Sequence, residues 1–354
     1  MSTPVAFCTN GVDISLPIPN IFSSEKYIHQ TLDLRYCENV RTRICDILGI
    51  DYPIIQGAMA WIGSAELACA ASNAGGLGII HPFSNRSLGE EILLAKEMTK
   101  SPFGVNIPIL SPGAKRVVDT VINEGIEVVT ASVGDPRKYT KRLQKEGVTV
   151  IQVVTSLKHA NRAEEAGVDA VVAQGIEAGG HPGSDEITTM TLVPQVADLL
   201  EIPVVAAGGI SDARGFAAAL LLGAEGVQIG TRFIATEECI ADEEFKRAIL
   251  RASSSDTIVI GRGIFPSRVI SNDFAERFEG LDEKGRSKEM LTEIERAKAG
   301  ILRGDLVEGS LWCGQSAGMI SEILSVEEII KGIICGAEEI IERSRGLFGD
   351  RGDV

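Results

Sequence analysis

The chain has 354 residues, 44% of them hydrophobic and 23% charged, and a formal net charge of −15. This composition excludes a disordered chain, a collagen-like fibre and a disulfide scaffold, and the length fits one large α/β barrel or two smaller domains. The negative charge repels phosphate backbones, which excludes a general nucleic-acid surface.

Residues 1–40 mix Pro17, Pro19, Asn20, Ser23 and Ser24 with isolated apolar residues and keep no sustained period. They read as an N-terminal extension, anchored by Tyr27, Ile28, Leu32, Leu34 and Tyr36, that lies on the surface or against another subunit. From Arg43 a rhythm begins. Short β-rich apolar runs occur at Pro53–Ile55, Gly76–Ile80, Phe103–Ile107, Glu127–Thr130, Val148–Val154, Ala170–Ala173, Pro203–Ala206 and Gly226–Ile229. Between them lie Ser64–Ala74, Gly89–Thr99, Ala114–Glu124, Pro136–Glu146, Ser156–Ala166, Leu192–Leu200 and Ala213–Leu222, each of helical composition with an apolar face near the 3.6 period. Ser64 and Ser211–Asp212 are capping residues.

Continuous Val/Ile/Ala runs suit strands buried on both faces, as in a parallel sheet. Alternation with helices makes right-handed βαβ units, and eight of them close into a (β/α)8 TIM barrel, an α/β fold, more naturally than into an open sheet. Beyond Thr231 the rhythm stops. Residues 241–304 are charge-rich and read as a small helical subdomain near the C-terminus, inserted into a barrel built from 41–240 and 305–350. Within this region Gly261–Ser271 reads as irregular, Glu276–Gly285 as an exposed loop, and 286–303 and 325–345 as helices.

The seven cysteines are scattered, odd in number and free of any CxxC pair. Neither a zinc site nor a disulfide framework is expected, and free, mostly buried thiols in a reducing compartment are. No apolar run approaches the roughly 20 residues of a membrane span, and no secretory signal is visible, so no membrane contact and a cytoplasmic location are expected.

Barrel enzymes bind ligands at the C-terminal ends of their strands. Run seven leads into Gly208-Gly209 and run eight, through Gln228, into Gly230-Thr231. Glycines there let backbone N–H groups approach a phosphate, and the Thr231 hydroxyl adds a donor. Phosphorylated sugars, flavin mononucleotide and inosine monophosphate all fit such a cradle. Run one ends in Gly57-Ala58-Met59, whose small residues and polarizable thioether suit a flat ring. Asn106, at the end of run three, is a buried amide that either meets a heterocycle edge or satisfies neighbouring backbone. Run six leads into Gln174-Gly175-Ile176-Glu177-Ala178-Gly179-Gly180-His181, where glycines surround one histidine. His181 is the candidate proton-transfer residue, since its pKa range spans neutrality. His81, after run two, is an even choice between function and structure. No His/Asp/Glu cluster has metal-ligand spacing, so no metal site is expected. A monovalent cation held by carbonyls would leave no sequence signature.

Seven segments then carry a resemblance that spans about Arg43 to Gly346. They are Asp51–Trp61, Asn73–Gly78, Phe103–Asn106, Glu177–His181, Ala206–Ile210, Gln228–Arg232 and Cys313–Gly318. In this order they resemble the superfamily of FMN-dependent enoyl-acyl-carrier-protein reductase II and nitronate monooxygenase. Gln56–Trp61, Thr188–Leu192, Thr231–Phe233 and Gly304–Ser310 look like the reductase, and Ala173-Gln174-Gly175 looks more like the monooxygenase. The resemblance implies FMN as cofactor. It sets Ala58, Met59 and Asn106 beside the isoalloxazine, Gln174 and Gly179 approaching it from the loop after run six, and Gly208, Gly209, Gly230 and Thr231 on the phosphate, with Gly57 and Gln228 also binding the cofactor. It sets His181 over the reactive face. The favoured reading is an NADH- or NADPH-driven reductase for an enoyl thioester carried on acyl carrier protein or CoA. The alternatives are a monooxygenase acting on alkyl nitronates with oxygen and a non-catalytic FMN-binding subunit. The resemblance and the apolar extension together suggest a homodimer.

Overall fold

The computed structural model of the chain describes residues 40–347. The extension read over 1–40 therefore lies outside the described residues apart from Val40. Eight parallel strands form one sheet: β1 (Ile54–Gln56), β2 (Gly78–Ile80), β3 (Phe103–Pro108), β4 (Val128–Ser132), β5 (Thr149–Val154), β6 (Ala170–Gln174), β7 (Val204–Ala207) and β8 (Gly226–Ile229). Their spatial order is β1-β8-β7-β6-β5-β4-β3-β2. A parallel bridge between Ile55 and Leu77 joins the two ends, with Gln56 N donating to Leu77 O at 2.8 Å and Leu77 N to Ile54 O at 2.9 Å. The expected (β/α)8 barrel is what the chain forms.

Strand alternation divides the core in two. Ile55, Leu77, Ile79, Val128, Ile151, Val172 and Val205 point inward, where Ile44, Cys45 and Leu48 of the Arg43–Leu48 helix join them. That helix lies beside Pro102, Glu127 and Val148 at the starts of β3, β4 and β5, so it closes the N-terminal mouth. Ile54, Ile80, Val105, Val129, Val171 and Val227 point outward against the surrounding helices. Ligand access is left to the C-terminal face.

The departures from the sequence reading have local causes. Pro136–Glu146 splits into a 3-10 turn, Pro136–Lys138, capped by Asp135, and the Thr140–Lys145 helix. The helix after β6 begins at Thr189 rather than Leu192, because the Glu177 carboxylate accepts the Thr189 N–H at 2.9–3.0 Å. The segment 241–304 carries, besides helices, an antiparallel hairpin of β9 (Thr257–Ile260) and β10 (Ser267–Ile270). Where an exposed loop was expected, Asp273–Glu279 is a helix. The Asn272 side chain accepts the Ala275 N–H, and Phe274 and Phe278, one turn apart, are buried edge to face. The helix read over 286–303 breaks at Leu291–Thr292 into Glu283–Met290 and Glu293–Arg303. Ile260, Val269, Phe274, Ala275 and Phe278 make a small core of their own. Val326–Leu347 closes the described chain as a helix.

Cys45, Cys69, Cys239 and Cys313 are free and buried, whereas Cys335 departs from the free-thiol expectation and is disulfide-bonded. Among the described residues no helix is long and apolar enough to cross a membrane. Nor do they contain a group of three or more His, Cys, Asp or Glu that could hold a metal ion.

Candidate active site

Four segments converge above the C-terminal ends of β6, β7 and β8. Three are the expected loops: Gly175–His181, Gly208-Gly209 and Gly230-Thr231. The fourth, Trp312–Gln315, arrives from beyond the Glu293–Arg303 helix. Gly314 N donates to Thr231 Oγ1 at 2.9 Å, and Gln315 N donates to Glu177 O at 2.9 Å. Glu177 ties two loops together: it binds the Thr189 N–H and hydroxyl, and that hydroxyl stands 3.0 Å from Gly208 O. A Cβ on Gly175 would lie 2.2 Å from Thr189 Oγ1, and one on Gly179 would lie 2.7 Å from the Cys313 backbone, so both positions are fixed as glycine by close approach.

The cradle is rich in backbone donors. Gly208 and Gly209 have φ of +101° and +72°, which only glycine adopts without strain. The amides of Gly208, Gly209 and Gly230 donate no hydrogen bond to any described residue. Met59 Sδ lies 3.8 Å from where a Gly230 Cβ would stand, and Gln228 Cγ 3.3 Å from that of Gly57. The β1 loop and the β8 loop thus meet, as a ligand spanning a ring site and a phosphate site requires. These residues fit a flavin mononucleotide.

His181 is hydrogen-bonded at Nδ1 and flanked by two aromatic rings. Its Nδ1 is 3.1 Å from Pro266 O and 3.0 Å from Ser267 Oγ. A carbonyl only accepts, so the proton sits on Nδ1 and Nε2 keeps its lone pair. Phe265 lies 4.2 Å and Trp312 5.0 Å from the imidazole, centroid to centroid. Burial pushes the His181 pKa down, opposed by the nearby Glu293 carboxylate and the Pro266 carbonyl. The loop that carries it is stapled to β10. Arg268 N donates to Gly180 O at 2.7 Å and Gly180 N to Arg268 O at 3.2 Å. The buried Arg268 guanidinium donates to Ile176 O at 2.7 Å and Thr257 Oγ1 at 3.1 Å.

The other sequence candidates fall as follows. Gln174 Nε2 donates to His181 O at 3.0 Å, which supports the histidine's backbone. Asn106 is satisfied inside the sheet: Nδ2 donates to Thr130 Oγ1 at 3.0 Å, and Oδ1 accepts from Ser132 Oγ at 3.1 Å. His81 is buried, its Nδ1 accepts the Phe83 N–H at 3.1 Å, and burial takes its pKa down to about 3. It is a neutral loop-holding residue. Sequence reasoning missed Trp61, Phe265, Ser267, Arg268, Glu293 and Trp312. One signal was available, since the chain has only two tryptophans and both end here, 5.5 Å apart.

A barrel with a donor-lined cradle at β7 and β8 and a hydrogen-bonded histidine at β6 has a lining that suits a phosphorylated ligand at its C-terminal face. The family model for nitronate monooxygenase matches residues 41–117 and 110–336, and the chain belongs to that family of FMN-dependent oxidoreductases. It is similar to a probable nitronate monooxygenase of Staphylococcus saprophyticus, at 33% identity over 355 residues, covering 85% of this chain and 99% of that protein. It is 32% identical over 346 residues to a (3aS,4S,5R,7aS)-5-hydroxy-7a-methyl-1-oxo-octahydro-1H-indene-4-carboxyl-CoA dehydrogenase of Rhodococcus jostii, covering 86% and 97%. Among solved structures, FabK from Thermotoga maritima superposes with a TM-score of 0.84 at 43% identity, covering 87% of this chain and all (100%) of that one. A nitroalkane oxidase from Streptomyces ansochromogenes gives 0.73 at 28% identity, covering 85% and 99%.

Proposed function

We propose that this protein is an FMN-dependent enoyl-thioester reductase driven by NADH or NADPH, with enoyl-acyl carrier protein or enoyl-CoA as substrate. The observation that carries the reading is the 43% identity to the enoyl-ACP reductase FabK over 87% of the chain. The shares with the nitronate monooxygenase and the nitroalkane oxidase are 33% and 28%. The Rhodococcus relative is likewise named for a CoA thioester.

In this reading Gly208, Gly209, Gly230 and Thr231 hold the FMN phosphate, and Gly57, Ala58 and Met59 line the ring, with Gln174, Gly179, Gln228 and Asn106 behind it. When bound, the flavin supplies hydride transfer to the 2,3 double bond. His181 meets the thioester. Nδ1 is committed to Pro266 O, so Nε2 is the atom that takes up a proton and presents it to the substrate.

A second reading is nitronate oxidation. The free Nε2 lone pair suits withdrawal of the α-proton from a nitroalkane to give its nitronate, and the family model bears that family's name. Steady-state assays separate the two. The proposal expects crotonyl thioester to drive oxidation of NADH or NADPH without oxygen, with the saturated thioester as product. Absence of that product, together with oxygen uptake on an alkyl nitronate, would move the assignment to the second reading.

A further inference from the structure

Glu293 is 1% exposed, sits in the first turn of the Glu293–Arg303 helix, and belongs to none of the loops that form the cradle. A carboxylate taken out of water must be compensated by strong donors. Its Oε1 has two: the Ser310 hydroxyl at 2.6 Å and the Trp312 indole N–H at 2.5 Å. The position at a helix start adds a favourable field. Trp312 is one wall of the histidine. Its ring stands at 68° to the imidazole with centroids 5.0 Å apart, and its other neighbour, Trp61, lies 5.5 Å away. Trp61 itself is held at φ +66°, a strained conformation for a bulky residue, with its N–H on Phe83 O at 2.6 Å. The other ring beside the imidazole, Phe265, is 39% exposed on the β9–β10 turn. The indole is therefore the more buried of the two rings, and one carboxylate oxygen accepts its N–H.

We propose that Glu293 is a positioning residue for His181, acting through the Trp312 indole. The inference rests on the reading above, in which His181 meets the substrate. A carboxylate that merely holds the subdomain together would lower stability without a specific link to the indole, and a double-mutant cycle distinguishes the two roles.

The test uses the FMN-loaded full chain with E293A, W312F and the double variant. Should E293A not fold, E293D, which keeps the charge but draws it back from the indole, takes its place. We expect E293A to lower kcat about tenfold or more, since small misplacements of a reacting group are costly. The KM for the nicotinamide should stay unchanged. E293Q, which keeps an oxygen for both donors, should restore most of kcat. In the W312F background the same Glu293 substitution should change kcat by less than about twofold. Emission from Trp312 alone, read in a W61F background, should shift with E293A and with H181Q and return with E293Q. An equal kcat loss from E293A in the presence and absence of the indole would overturn the proposal. So would an unshifted Trp312 emission. If H181Q keeps full turnover, the functional reading fails, while the emission measurement still decides whether Glu293, Trp312 and His181 are coupled.

Discussion

Gly179 and Gly180 are adjacent in the loop after β6, and each has to be glycine for a different reason. A Cβ on Gly179 would stand 2.7 Å from Cys313 C and from Gly314 N, and 2.9 Å from Cys313 Cα. All three are backbone atoms, so no flexible side chain can yield. Ordinary contact begins at 3.4 Å, and the two segments would have to part by about 0.7 Å (3.4 minus 2.7). That opening stretches the 2.9 Å bonds from Gly314 N to Thr231 Oγ1 and from Gln315 N to Glu177 O beyond useful length. Two lost bonds at about 1 kcal/mol each, with overpacking of about 1–3 kcal/mol, put G179A at roughly 3–5 kcal/mol. Gly180 has nothing within 4 Å of its missing Cβ, but its φ is +70°. G180A therefore costs only left-handed strain, about 1 kcal/mol. Thermal unfolding of the two variants, with flavin retention measured in parallel, reads the difference. G180A should lower Tm by about 1–2 °C and keep FMN, and G179A should lower it several times as far and shed FMN. A G180A variant as damaged as G179A would refute the close-approach argument.

Three further outcomes follow from the site. His81 resists protonation down to about pH 3, against an ordinary value of 6.5, so between those values the unfolded chain binds a proton that the folded one refuses. Stability should fall as pH drops from about 6.5 toward about 3, by about 2 kcal/mol between about pH 7 and pH 5. H81N, whose side-chain oxygen can accept the Phe83 N–H, should flatten that loss in urea titrations. T231V leaves the buried Gly314 N–H without its acceptor and should cost about 1–3 kcal/mol, with a weaker Kd for FMN. R268K cannot reproduce the bonds to Ile176 O and Thr257 Oγ1, so the His181 loop loosens. Its kcat should fall about tenfold while far-ultraviolet circular dichroism stays unchanged.

Much of the barrel was legible because a parallel sheet buried on both faces leaves continuous apolar runs. The Ala170–Ala173, Phe103–Ile107 and Gly226–Ile229 runs coincide with β6, β3 and β8 to within a residue. β10 was hidden because its four residues include Arg268, a charged side chain that reads as surface and is in fact buried across the β6 loop. The Asp273–Glu279 helix was hidden by its charges, although Asn272 and the Phe274/Phe278 spacing were visible signals. The glycine cradle followed from strand order and composition. The walls of His181 did not, since Phe265 and Trp312 come from segments 84 and 131 residues further along the chain (265 − 181 and 312 − 181). Tertiary pairings bring them in, Gly180 with Arg268 and Val269 with Trp312. Asn106 shows the converse. A buried amide demands partners, and Thr130 and Ser132 on the next strand supply them without any signal in the local sequence.

The most direct test of the reductase assignment is an anaerobic half-reaction. The purified protein is mixed without oxygen with NADH, then with NADPH, while the flavin band near ~450 nm is followed, the hydride chemistry being the flavin's own. The account predicts rapid bleaching by one of the nucleotides and recovery of the band on adding crotonyl thioester but not on adding an alkyl nitronate. A band untouched by either nucleotide, yet bleached by the nitronate, would contradict it.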